Sequence, residues 1–379
     1  MSTYDDIDLH APTDHQPDDL VRILDADGSV LPNATVPHLD DDTLVGMYED
    51  IVLARHFDER AIGLQRQGRI ATYAPMTGQE GSQVATSYAL EEGDWLVPTY
   101  REHAAKYVHG RDLGALLAHL RGYREGYAVP DDVNVLPEYI PIGTQVPQAV
   151  GLAWGYALQG ESDRVVCCHL GDGATSTGDV HEGLNFAGVF DVPAVFVCNN
   201  NQWAISTPTE RQTASETIAG KADAYGIDGI RVDGMDPLAV YAVTRAAVEK
   251  ARCLLDGEVR PTLIESVQYR LGAHSTADDP SVYREDAEVE AWRDLDPLAR
   301  LDIYLTDHGL LDDERREAIE ARARATVDEA VAAAEAVSTD PETMFEHVYE
   351  EVPAELESQL AELESLRERY GDAALTEEP

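Results

Sequence analysis

Between Asp40 and Gly68 the stretch "DDDTLVGMYEDIVLARHFDERAIGLQRQG" spaces its apolar residues at helical intervals, and Asp40 to Asp42 are available to cap its first turn. A second helix, rich in small residues, is predicted in "TQVPQAVGLAWGYALQG" and ends near Gly160. Then the period changes. "RVVCCHL", "PAVFVCNN" and "PTLIESVQYRLG" are continuous apolar runs of strand length, separated by the helical patterns "GDVHEGLNFAGVF" and "DPLAVYAVTRAAVEKARC". Strands without polar alternation, interleaved with helices, predict an α/β fold: a doubly wound, mainly parallel sheet covered on both faces.

Around this core the pattern fades. Residues 1–40 carry turn formers and little periodicity, which predicts an extended arm lying on another surface. Tyr123 to Glu138 reads as a surface loop. From "DDERREAIEARARATVDEAVAAAEA" onward the chain reads as charged helix with a frayed end at "YGDAALTEEP". The expected organisation is an arm (1–40), one α/β domain (41–300) and an acidic helical region (301–379), with no repeat and no second α/β core.

Composition narrows the function classes. The chain has 379 residues with 44% hydrophobic content, enough for a sizeable core. Its apolar runs stop short of the ~18–20 residues of a membrane span, and the N-terminus lacks a basic-then-apolar signal pattern, so a cytoplasmic location is expected. Acidic residues number 72 against 28 Lys and Arg, for a net charge of −44. Such a balance argues against nucleic acid as a partner. Acid spread over the whole chain, with lysine confined to Lys106, Lys221 and Lys250, suggests a halophilic protein whose self-repulsion is screened by molar salt. Cys167, Cys168, Cys198 and Cys253 show no metal spacing and read as buried small hydrophobes.

The chemistry concentrates at two strand ends. Asp172, between Gly171 and Gly173, follows "RVVCCHL"; Asn199 to Asn201 follow "PAVFVC". In a doubly wound sheet, ligands bind beyond the carboxyl ends of the strands, and one crossover would bring both ends to the same rim. A carboxylate, an asparagine amide oxygen and a backbone carbonyl from the loop beyond are hard oxygen donors suited to Mg²⁺ or Ca²⁺. Gly171 and Gly173 permit close backbone approach, and the amides of Gly173 and Ala174 can bind phosphate near a helix start.

GDG followed about thirty residues later by NN is the thiamin-diphosphate signature, and "GDGATSTGDVHEGLNFAGVFDVPAVFVCNNNQWAISTPTERQT" resembles the alpha subunit of the decarboxylating component of 2-oxoacid dehydrogenase complexes. The likeness runs from about Leu44 to Glu351. It implies the diphosphate-binding half of a thiamin-diphosphate fold, with Mg²⁺ held by Asp172, the Asn201 side chain and the Trp203 carbonyl. Tyr100 and Arg101 match the family's YR pair on the terminal phosphate, for which a planar guanidinium is suited. Ile142, in "IPIGTQVPQAVG", either offers main-chain contacts to the aminopyrimidine or packs in the core. His274, in "YRLGAHSTADDPSVYRE", matches a histidine that faces the thiazolium and serves reductive acyl transfer. Arg270 is expected to be a second phosphate or loop-anchoring cation, and Lys221 stands where the family tends to be basic. Ser275 aligns with a serine that animal relatives phosphorylate; nothing in this sequence implies that regulation. Tyr73 and "APMTGQEG" are expected to border the substrate pocket.

No second α/β half supplies the glutamate that activates the aminopyrimidine. The resemblance therefore implies a separate beta subunit in an α₂β₂ assembly, and a lipoyl-bearing acyltransferase as acceptor of the acyl group. "GDVHEGLNFAG" and "VDGMDPLAVYA" look like pyruvate-type subunits, while "RQGRIATY" and "AHSTADD" lean to branched-chain ones; pyruvate is preferred. A split transketolase lacks the "NNQWAISTP" and "AHSTADD" blocks, and a noncatalytic descendant would have lost Asp172, Asn201, Arg101 or His274.

Overall fold

Five strands form one parallel sheet in the computed structural model, which describes residues 20–138, 140–161, 163–253, 259–338, 341–346, 349–372 and 374. They are β1 (Trp95–Val97), β2 (Val166–Gly171), β3 (Ala194–Asn200), β6 (Asp228–Asp233) and β7 (Thr262–Val267), in the order β1-β2-β3-β7-β6. A short antiparallel pair, β4 (Trp203–Ala204) and β5 (Thr207–Pro208), follows β3. The expected α/β architecture is present. The first half of the predicted arm, residues 1–19, and most of the predicted frayed end lie outside the described residues.

Every residue of β3 and β7 is buried, which is what apolar runs without alternation require of a sheet covered on both faces. One face packs against α5 (Gln145–Gln159) and α6 (Gly178–Phe190), where Val146, Val150 and Leu184 meet Val166, Cys168, Phe196 and Cys198. Full burial of such side chains is worth about 1.5–3 kcal/mol each. The other face carries α7 (Pro237–Arg252), which packs on α2 (Glu80–Tyr88), and α2 in turn meets α3 (His103–Val108). Cys167, Cys168 and Cys198 are buried free thiols in the strands, as expected, whereas Cys253 is exposed.

Local signals set the helix ends. Asp40 caps α1 (Asp41–Arg66) by accepting from the Thr43 amide at 2.7 Å, an interaction typically worth ~1 kcal/mol. Gly160 ends α5 in the left-handed conformation. Asp236 caps α7 with one carboxylate oxygen and accepts the Ile23 and Leu24 amides with the other, both at 2.7 Å. The described part of the arm is thus held on its own domain, where Val21 also bridges Val232.

α4 (Leu113–Leu120) precedes the Tyr123–Glu138 loop, which contains a 3-10 turn at Arg124–Tyr127 and a bridge from Val135 to Leu96. After the sheet come α8 (Asp286–Arg293), α9 (Pro297–Asp307) and α10 (Asp313–Ala336), then α11 (Thr343–Glu346) and α12 (Ala354–Tyr370). The described residues up to 334 form one compact unit and those from 335 a second. No helix among the described residues is long and apolar enough to cross a membrane.

Candidate active site

β2 and β3 run parallel with Gly171 opposite Asn199, so Asp172 and Asn201 leave the sheet side by side at one rim. Beyond them opens a cavity of about 600 Å³. Every residue expected to bind cofactor or metal, or to act in catalysis, lines it except Lys221 and Arg270.

Asp172 begins a 3-10 turn, Asp172–Ser176, and is almost fully buried. Its side chain accepts from Gln212 Nε2 at 2.6 Å and Thr209 Oγ1 at 3.5 Å, both neutral. Burial outweighs these hydrogen bonds and the charge of Arg270 and pushes its carboxyl above the usual range. Gly173 is required by contact: a Cβ there would stand 2.7 Å from Ala204 Cβ, forcing the turn away from the β4 loop.

The three asparagines take different partners. Asn199 gives its amide nitrogen to Glu102 Oε1 (2.9 Å) and His169 Nδ1 (3.1 Å), and Asn200 gives its own to Glu265 Oε1 (2.8 Å). Asn201 donates to Gln79 Oε1 at 2.8 Å, while its Oδ1 takes only a long bond of 3.3 Å from the Trp203 amide. The loop that follows is sharply bent: Gln202 (φ 72°) and Ile205 (φ 55°) both occupy the left-handed region, an uncommon state for a β-branched residue and one typical of functional loops.

Arg101 and His274 meet in the cavity wall. Arg101 gives one guanidinium nitrogen to the Pro75 carbonyl and the other to His274, at Nδ1 (3.1 Å) and the backbone oxygen (2.9 Å). Arg270 donates to the same Nδ1 at 3.3 Å. With Nδ1 accepting, the ring proton sits on Nε2. Burial, then the charges of Arg101 and Arg270, lower the His274 pKa to about 4.

The two expected cations outside the cavity lining stand behind its walls. Arg270 is fully buried and donates to the carbonyls of Trp203 (3.3 Å) and Ile205 (2.9 Å) and to Tyr283 Oη (2.9 Å), so it braces the bent loop. Lys221 donates to the Thr175 carbonyl (3.3 Å) and hydroxyl (3.1 Å), supporting the 3-10 turn from outside. Ile142 is 47% exposed at the cavity edge, which sets aside core packing as its role.

Several participants carry no signal in the sequence. Gln79 and Gln212, which orient Asn201 and Asp172, lie inside "APMTGQEG" and "STPTERQT", yet glutamine carries no charge or spacing signal. Asp278 fixes the His274 amide at 2.7 Å and is one of two aspartates in "STADD". A polar wing of the cavity holds His103, His119 and Glu138. Burial pushes the Glu138 carboxyl up, but the fully buried Lys106 ammonium 2.9 Å away outweighs it and holds the pKa at about 2.

Comparison with known proteins places the chain in a family. Residues 48–342 match the dehydrogenase E1 component family, and the chain belongs to that family. Within it, the chain is 43% identical over 345 residues to the pyruvate dehydrogenase E1 component subunit alpha of Staphylococcus aureus strain Mu50, covering 90% of this chain and 91% of that protein. The subunits of the same name from Bacillus subtilis strain 168 (43% over 340 residues; 89% and 90% covered) and Staphylococcus epidermidis (43% over 345 residues; 90% and 91% covered) are equally similar.

Proposed function

We propose that this chain is the alpha subunit of a pyruvate dehydrogenase E1 component, carrying the diphosphate end of thiamin diphosphate through one Mg²⁺ ion. The observation that carries the reading is the pairing of Asp172 and Asn201 on adjacent parallel strand ends over one cavity. Similarity to subunits named for pyruvate favours that 2-oxoacid over a branched-chain one.

The residues fit the group. No cluster of three His, Cys, Asp or Glu able to hold a metal occurs among the described residues. What stands here is one buried carboxylate with neutral partners, one amide oxygen and one peptide carbonyl. That is a sparse hard-oxygen set, which suits a magnesium ion completed by phosphate oxygens and water. Asn199 Oδ1 and Gln79 Nε2, both in the cavity wall, are buried without partners and are consistent with a polar occupant.

When bound, thiamin diphosphate supplies a nucleophilic carbon and an electron sink for loss of CO₂ from a 2-oxoacid. Asp172, the Asn201 side chain and the Trp203 carbonyl would hold the metal, the amides of Gly173 and Ala174 would bind phosphate, and Tyr100 and Arg101 would bind the terminal phosphate. His274 is neutral at physiological pH and presents Nε2–H, so it can donate a proton or hydrogen bond without adding charge. On this reading the main chain at Ile142, at the cavity edge, would offer contacts to the cofactor's aminopyrimidine. The same reading brings a beta subunit to complete the site and a lipoyl-bearing acyltransferase to receive the acyl group.

The test is co-expression with a candidate beta chain, followed by reduction of an artificial electron acceptor with pyruvate, 2-oxobutyrate or 2-oxoisovalerate. Turnover dependent on thiamin diphosphate and Mg²⁺, highest with pyruvate, is expected. Absence of such turnover with all three acids would overturn the assignment.

A further inference from the structure

We infer that Asp58, which reaches neither the cavity nor any cation, is a positioning residue that sets where Arg101 and His274 stand; the inference rests on the cofactor reading above. Asp58 lies on α1 and is 1% exposed. Its carboxylate accepts four hydrogen bonds, all from one short segment: Tyr73 Oη (2.8 Å), the Met76 amide (2.9 Å), the Thr77 amide (3.1 Å) and the Thr77 hydroxyl.

That segment has no regular structure of its own through Met76 and connects α1 to α2. Its shape therefore depends on what it is tied to. On the far side it is tied to both halves of the proposed active site. The Pro75 carbonyl accepts from the Arg101 guanidinium, the Tyr73 carbonyl accepts from the Thr276 amide (2.8 Å), and the Tyr73 amide donates to Thr276 Oγ1 (3.1 Å). The Thr77 carbonyl accepts from the Leu271 amide at 3.2 Å. Leu271 and Thr276 bracket His274, and Arg101 bonds His274 directly. A shift of residues 73–77 would thus move the guanidinium and the imidazole together.

A carboxylate is the group this place needs, because all four partner atoms are donors. The amide of an Asp58→Asn variant turns one acceptor into a donor that faces N–H or O–H groups. The backbone at Met76 or Thr77 then loses its partner and the segment shifts.

The experiment compares the wild-type α–β enzyme with Asp58→Asn, Thr77→Val and Tyr73→Phe. Val240→Ala, a core change away from the site, serves as a control for stability alone. Thiamin diphosphate affinity is read by calorimetry with Mg²⁺ present, and exchange of the Met76 and Thr77 amides by hydrogen exchange. Asp58→Asn is expected to weaken cofactor binding by the folded protein tenfold or more and to speed exchange at both amides. The two single-bond variants should fall between it and wild type, and Val240→Ala should bind cofactor normally. Should Asp58→Asn fail to fold, Thr77→Val and Tyr73→Phe decide the matter. Wild-type affinity in every folded Asp58-network variant, or losses matched by Val240→Ala, would overturn the inference while leaving the cofactor reading intact. Failure of the wild-type enzyme itself to bind thiamin diphosphate would defeat both.

Discussion

Arg101 holds His274 twice with one guanidinium nitrogen, at the ring Nδ1 and at the backbone oxygen. A cation at Nδ1 leaves no room for a proton there, and the imidazole stays neutral with Nε2–H free for the cavity. With a folded pKa near 4 against an ordinary 6.5, the unfolded chain binds the extra proton throughout that interval. Stability should therefore fall as pH drops from about 6.5 towards 4 and change no further below that on this account. Melting curves across this range should be flatter in His274→Gln, and NMR titration of Arg101→Gln should find the His274 pKa raised.

Asp172 is expected to show function at the expense of stability. Its raised carboxyl pKa means that the folded chain is destabilised as pH rises through that pKa and the buried group ionises. Asp172→Asn removes the charge, so the chain without ligand should gain stability, by roughly 0.5–2 kcal/mol, in the range of other stabilising changes. The same variant should lose Mg²⁺-dependent binding of thiamin diphosphate. Thermal melting with and without cofactor would check both directions.

Gln79 touches no proposed ligand atom but fixes the rotation of the Asn201 amide through a 2.8 Å bond. Gln79→Leu leaves that amide free to turn its nitrogen into the cavity. Metal affinity should then fall about 10–100-fold, the usual cost of losing an outer partner of a ligand. Titration of Mg²⁺ against cofactor binding would measure it.

Salt should stabilise the chain. A net charge of −44 repels itself across distances that are screened when the Debye length shrinks from about 10 Å at 0.1 M to about 3 Å at 1 M. The melting temperature is expected to rise from dilute buffer to molar KCl. A maximum at low salt would remove the basis for reading the composition as salt adaptation.

The parts legible in sequence were those where one residue type had one job. β2, α6 and β3 follow unbroken apolar runs and a clean helical period, and their ends bring Asp172 and Asn201 together. β1 was not predicted because three residues, Trp95–Val97, are too few for a pattern, and β6 because "DGIRVD" is half polar. α2 is silent in the sequence for a different reason. Its "EGSQVATSY" face is buried through polar contacts, such as Glu80 with Arg55 and Ser82 with Ser266, which leave no apolar stripe to read. Arg270, expected as a second phosphate cation or a loop anchor, is outside the cavity lining and bonds the carbonyls of Trp203 and Ile205, because a strand end gives the position of a residue and not the direction of its side chain.

The bend at Gln202 and Ile205 says something about how this surface tolerates change. Glycine at either position would adopt the same backbone angles with less strain, though with a larger loss of chain entropy on folding. It would also open other shapes to the loop that presents the Trp203 carbonyl. Gln202 and Ile205 therefore hold that carbonyl in fewer positions than glycine would, at the cost of two residues kept in the left-handed region.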